Sequence, residues 1–88
     1  MKTVYKYPLS ITDAQVIQMP KGAEILTVQF NDWSGLCLWA LVDPSQELEN
    51  VKIRIAGTGH PIKEDNVEYI GTIQLQGGAL VFHAFVIN

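Results

Sequence analysis

The segment RIAGTGHPI, residues 54–62, combines residue types that together can bind a small anion. Arg54 offers a planar fork of N–H donors that matches a phosphate group, and Lys63 adds a second cation directly after the segment. Gly57 and Gly59 would let the backbone approach a ligand closely. The segment therefore predicts a loop that recognises an anionic small molecule.

The backbone and one aromatic ring complete the predicted site. The N–H groups of Thr58 to His60 are expected to face the anion, and the His60 ring is a further donor. Trp33 stands in the turn NDWSG, where an exposed ring could stack on a base or pack against a neighbouring chain. The predicted ligand-binding residues are Arg54, Gly57, Thr58, Gly59, His60, Lys63 and Trp33.

A plainer interpretation of the same segment is a connector between two strands, in which the two glycines only supply unusual backbone angles. A dinucleotide-binding loop is excluded because the third glycine of that motif is missing. In addition, no helix follows whose N-terminus could receive a phosphate.

The sequence contains no convincing catalytic or metal-binding set. Cys37 lies between leucines, where burial disfavours the reactive thiolate. Glu64 and Asp65 adjoin in the polar loop KEDN and point to different sides, so they form no acid–base pair. His60, His83 and Cys37 stand on separate segments without the close-spaced pairs of zinc sites, and His83 is interpreted as a packed histidine with satisfied ring nitrogens. We predict no enzyme activity, no metal and no cofactor.

The amino-acid composition limits the kinds of partner that the protein is expected to bind. The net charge is −3, which argues against binding duplex nucleic acid through its phosphates. The longest apolar run, residues 36–42, is too short to span a membrane, and no signal peptide or disulfide pair is present. Hydrophobic residues make up 48% of the chain and charged residues only 17%. Because so few charges leave apolar surface uncovered, we predict a homo-oligomer, and we expect it to be soluble and intracellular.

The predicted fold class is all-β, a small antiparallel sandwich or barrel of about seven short strands in a single domain, residues 1–88. LCLWALVD is apolar on both faces, which predicts a central strand covered on each side. Asp43 to Ser45 could hold one helical turn, and Gly77-Gly78 predicts a two-residue hairpin. The strands are expected within TVYKYPL, AQVIQM, EILTVQF, LCLWALVD, VKIRIAG, VEYIGTIQLQ and ALVFHAFVI.

Six segments in order, YKYPL, MPKGAEIL, LWALVDP, RIAGTGHPI, YIGTIQ and GGALVFHAF, resemble a family of short proteins of unknown function from bacteriophages and prophages. The resemblance covers essentially the whole chain and carries no catalytic motif. It implies a small, non-structural phage protein that acts in the host cytoplasm, where many such proteins counter host immunity.

Three functions remain open. The first is a sponge that binds a nucleotide second messenger, of the cyclic oligonucleotide or cyclic ADP-ribose type, without cleaving it. The second is an inhibitor or adaptor that occludes a host protein through apolar strand faces or an edge strand. The third is a small phage structural or assembly protein. A basic concavity would favour the sponge, whereas a net-acidic surface would favour the protein-binding function.

Overall fold

The computed structural model describes all 88 residues and confirms the all-β prediction. Each of the seven predicted segments forms a strand, and the remaining regular structure is a single 3-10 turn at Gln76–Gly78. The chain has no helix of the length and apolar character that a membrane span requires. The strands are β1 (Thr3–Pro8), β2 (Ala14–Pro20), β3 (Glu24–Asn31), β4 (Gly35–Val42), β5 (Leu48–Gly57), β6 (Val67–Leu75) and β7 (Leu80–Ile87).

The strands form two antiparallel sheets, which stack as a thin sandwich. The three-stranded sheet has the order β1-β4-β3, and the four-stranded sheet has the order β2-β5-β7-β6. The Cα atoms span 40 × 33 × 15 Å, so the molecule is about two sheets thick. β3 and β6 approach each other most closely across the sandwich, where Gly71 of β6 lies against Val28 of β3.

The core lies between the sheets because the strands alternate apolar and polar side chains. In β5, Ile53 and Ile55 point inward and are buried, while Lys52 and Arg54 point outward. This agrees with the alternation read from the sequence. The fully or nearly buried apolar cluster contains Leu9, Met19, Val28, Leu36, Leu38, Ala40, Val42, Ile53, Ile55, Ile73 and Ala84.

The prediction that the strand LCLWALVD is covered on both faces is only half right. β4 is the central strand of its sheet, and Leu38 and Ala40 are fully buried on its inner side. Trp39 and Leu41, on its outer side, are only half-buried. The strand is apolar throughout because its outer side packs under neighbouring side chains, such as Lys6 over the Trp39 ring at 5.7 Å, and not under a second layer.

Two predicted turns differ from the structure. The β6–β7 hairpin forms, but its connection includes Gln76 and Ala79 as well as the two glycines. Gln76 and both glycines have positive φ, so the reversal is spread over more residues than a two-residue turn. The link after β4 forms a turn without a helix, and in this turn the Asp43 carboxylate accepts hydrogen bonds from the Ser45 N–H and hydroxyl.

Candidate functional site

Arg54, the only arginine and the predicted phosphate ligand, is bound within its own chain. Its Nε donates to Glu64 Oε1 at 3.0 Å, and Nη2 forms an ion pair with the other carboxylate oxygen. Nη1 donates to the Asp13 backbone carbonyl at 3.0 Å. The side chains of Arg54 and Glu64 are only 14% and 22% exposed. Three of the five guanidinium N–H groups are therefore already bonded within the chain in this conformation, and the Nε–Nη2 pair is occupied by Glu64.

The ion pair gives Glu64, which the sequence placed in the polar loop KEDN, a charged partner on β5. The hydrogen bond from Arg54 is the main cause that lowers the pKa of the Glu64 carboxyl, and the same bond raises the pKa of Arg54. The partners stand ten residues apart and meet because the chain doubles back after β5. The sequence does show an acid, Glu64, close to the single arginine. It does not show the shape of the loop that brings the two side chains together.

The lowered pKa predicts an acid-sensitive contribution to stability. A carboxyl group whose folded pKa lies below the unfolded value of about 4.3 stabilises the fold above that pH and loses this contribution as the pH falls through the folded pKa. Replacing Glu64 with Gln should therefore destabilise the protein at pH 7 and much less at about pH 2.5. Urea unfolding at both pH values measures the difference. Asp65→Asn, at the exposed neighbour, is the control, and an equal Glu64→Gln effect at both pH values would contradict the prediction.

The GTGH segment is a tight turn that uses its own N–H groups. The His60 N–H donates to the Gly57 carbonyl at 3.0 Å, and the Thr58 N–H donates to the Val81 carbonyl at 3.4 Å. Gly59 has a φ of 85°, which a type II turn requires at its third position. Two of the three N–H groups predicted to face an anion, those of Thr58 and His60, are therefore already bonded within the chain in this conformation.

Gly57 makes room for a side chain of the protein itself. A Cβ atom at this position would lie 3.0 Å from His60 Nδ1 and 3.1 Å from Cε1, closer than ordinary van der Waals contact. The imidazole therefore rests against the Gly57 backbone. This packing explains the glycine without a bound ligand.

A cleft of about 270 Å³ brings together three of the predicted ligand-binding residues, Arg54, His60 and Lys63, with Asp13 at its edge. Its volume lies just below the range of ordinary small-molecule sites, about 300–1,000 Å³. Trp33 does not line it. Nucleotide binding at this cleft stays a prediction, and it requires one of two things. Either Glu64 releases Arg54, or the other two residues bind the anion without it.

The outer side of the four-stranded sheet carries a larger feature that the sequence did not reveal. Tyr69 is 59% exposed, and its ring meets that of Phe85 edge to face, with 5.8 Å between the centroids. The registers of β2, β5, β6 and β7 put three aliphatic side chains on the same side. We call Val67, Tyr69, Phe85 and Ile87 the aromatic face; Val16 lies beyond Lys52, which is paired with both Val16 and Ile87.

A chain of hydrogen bonds borders the aromatic face. Thr58 Oγ1 lies 2.7 Å from His83 Nε2, and Thr72 Oγ1 lies 3.1 Å from His83 Nδ1. The Tyr69 hydroxyl continues the chain to Thr72 at 2.6 Å. Both ring nitrogens of His83 are thus satisfied, as expected from the sequence. Thr58, predicted to contact a ligand, instead links the loop to β7.

Two polar groups therefore flank the aromatic face. The Arg54–Glu64 pair lies on one side, since Arg54 is paired across the strands with Phe85. The hydroxyl–imidazole chain lies on the other. An apolar, aromatic centre with a polar rim is the usual composition of a protein–protein interface.

The solvent-accessible surface of the molecule is larger than that expected for a folded monomer of its mass. It exposes 5738 Å², whereas a folded monomer of 9.8 kDa is expected to expose about 5,200 Å². The exposed large apolar side chains are Met1, Val4, Tyr5, Ile11, Val16, Leu26, Phe30, Trp33, Leu48, Tyr69 and Leu80.

Comparison with known proteins gives one match. The model of a family described as a domain of unknown function (DUF7352) matches residues 1–88. No curated protein and no solved structure matches the chain. The family match extends over both sheets, so the aromatic face and the Arg54 cleft lie within one family domain.

Proposed function

This chain belongs to the DUF7352 family, and we propose that it is a protein-binding module that occludes a partner protein through the aromatic face. The observation that carries the proposal is the edge-to-face contact of the exposed Tyr69 with the half-buried Phe85, beside half-buried aliphatic side chains. Tyrosine is among the residues that contribute most to binding energy at interfaces. An edge-to-face aromatic pair is also rigid, so little side-chain entropy is lost when a partner covers it.

The charges of the molecule support a protein partner over a nucleotide. The one guanidinium is neutralised by Glu64, and the net charge is −3. A buried phosphate would need compensating cations that the Arg54 cleft offers only through Lys63 and, when protonated, His60. A protein surface needs no such compensation, because the aromatic face contributes mainly through apolar burial.

The proposed biological setting is infection of a bacterium. The resemblance to short bacteriophage and prophage proteins supports a partner in the host cytoplasm, and occlusion requires no catalytic group. In this proposal the phage makes a small domain that covers a functional surface of a host protein. The aromatic face would be the surface that the partner contacts.

We expect that replacing both Tyr69 and Phe85 with Ser abolishes capture of the partner while the sandwich remains folded. Loss of one strongly contributing aromatic side chain costs about 2 kcal/mol or more, which is roughly a thirtyfold loss of affinity. The tagged protein is incubated with host lysate, and captured proteins are quantified by mass spectrometry. Val4→Ser combined with Leu26→Ser is the control, because these side chains are exposed apolar residues on strands of the other sheet.

Two results would contradict the proposal. In the first, the Tyr69→Ser/Phe85→Ser protein captures the same host protein as the wild type. In the second, heating the purified wild-type protein releases an intact cyclic nucleotide and no host protein is captured. The second result would favour the predicted nucleotide sponge.

A further inference from the structure

A second cleft, of about 590 Å³, opens at the end of the sandwich where β3 begins. Six of its twelve lining residues are apolar, including the half-buried Ile25, Val51 and Val86. Glutamates at positions 24, 49 and 68 surround it, and Lys52 is the only basic residue that lines it. The cleft is thus lined about equally by apolar and polar residues and has an acidic rim, unlike the smaller cleft at Arg54.

Trp33 projects from the opposite end of the same strand. It follows β3 in the turn to β4, and the side chain is 98% exposed. The turn is well defined, because the Asn31 carboxamide oxygen accepts hydrogen bonds from the N–H groups of Trp33 at 3.0 Å and Ser34 at 2.7 Å. An exposed tryptophan on an ordered turn is a preformed anchor.

Individual charged side chains at the two ends can pair with one another. Lys6 Nζ donates to the Ser34 hydroxyl at 2.7 Å and so stands beside the Trp33 turn. The rim of the cleft carries three glutamates that could face this ammonium group. Asp32 lies in the same turn, and Lys52 at the cleft has the opposite charge with which it would pair. β3 contains eight residues and separates the two features by about 26 Å, so a chain cannot fill its own cleft.

From these observations we infer that the protein associates with itself head to tail, with Trp33 of one copy in the β3 cleft of the next. A buried tryptophan covers about 150–250 Å², and the cleft exceeds the room that one indole ring needs. The contact joins two different surfaces, so it is heterologous and generates a ring or a filament instead of a two-fold dimer. The cleft shares Ile87 with the aromatic face, but the Tyr69–Phe85 pair does not line it, so the inference does not rest on that pair.

The inference is tested with two variants that each lack one half of the contact. Trp33→Ser removes the anchor, and Ala23→Arg fills the cleft with a long side chain. Because Ala23 is half-buried, Glu24→Arg combined with Glu68→Arg provides a second cleft variant at exposed rim positions. Each variant alone is expected to be a monomer by light scattering up to about 100 μM, whereas the wild type should show a mass that rises with concentration.

Mixing the variants gives the decisive measurement. Trp33→Ser retains an intact cleft and either cleft variant retains an intact anchor, so an equimolar mixture should form a 1:1 heterodimer that cannot grow. In a Trp39→Phe background Trp33 is the only tryptophan, and its fluorescence should shift to shorter wavelength on mixing. A monomeric wild type, a monomeric mixture or unchanged assembly of Trp33→Ser would overturn the inference.

Discussion

Replacing Leu38 with Ala should lower the free energy of unfolding by about 3–4 kcal/mol. Leu38 is fully buried in the middle of β4, the central strand of its sheet, where it is paired with Tyr7 of β1 and Val28 of β3. Truncation removes the transfer free energy of the lost methyl groups and leaves a cavity that backbone hydrogen bonds on both sides keep open.

The loss expected for Leu38→Ala is large compared with the total free energy of unfolding. A domain of this length has a stability of roughly 4–13 kcal/mol, so the variant should unfold at a much lower urea concentration, with the slope of the transition unchanged. Val4→Ala, at a half-exposed position on β1, is the control and should change stability by less than about 1 kcal/mol. A Leu38→Ala effect as small as that of the control would mean that the two sheets do not share this core.

Replacing Ala84 with Leu should destabilise the protein by about 1–3 kcal/mol, because no space exists for the larger side chain. Ala84 is fully buried in β7 and is paired with Ile55 on one side and Gly71 on the other. The Gly71 backbone lies against Val28 of the opposite sheet. Two adjacent small residues thus allow the two sheets to approach closely at this point.

Gly71→Ala is the matched control for this prediction. A Cβ at Gly71 would lie 3.6 Å from the Val28 Cβ, which is ordinary contact, so alanine fits without movement. Its effect on the free energy of unfolding should stay within about 1 kcal/mol in either direction. Thermal unfolding of the Ala84→Leu and Gly71→Ala variants distinguishes an overpacked site from one that accepts the added atoms. If Ala84→Leu is as stable as the wild type, the sheets are less tightly packed here than the structure indicates.

The strands were predictable because each carries a local pattern. Val51, Ile53 and Ile55 alternate with Lys52 and Arg54 over β5, and this pattern needs no knowledge of the partner strands. Glycine and proline at the turns separated one strand from the next in the same way. β4 was the exception, since an apolar residue at every position does not distinguish full burial from half-burial.

The candidate sites were less predictable because they depend on pairing between distant residues. The hydrogen-bond chain on the outer sheet face requires His83 opposite Thr72, a register that β6 and β7 acquire through a bulge near Tyr69. Arg54 was correctly noted as the single arginine, yet its environment depends on the path of the loop that carries Glu64. Residue type indicates what a side chain can bind. Only the fold determines whether that capacity is already used.

The pairing of the first two strands determines how long each of them stays unpaired while the chain is synthesised. Thr3 pairs with Val42, and Ala14 pairs with Arg54, so each strand waits for a partner made about 40 residues later. At about 5–20 residues per second, this wait is roughly 2–8 seconds. The three-stranded sheet is fully synthesised once β4 ends, whereas the four-stranded sheet is complete only with β7. On the ribosome, β2 therefore emerges as an unpaired strand, and the half-built sandwich leaves its inner apolar surface open until the second sheet arrives.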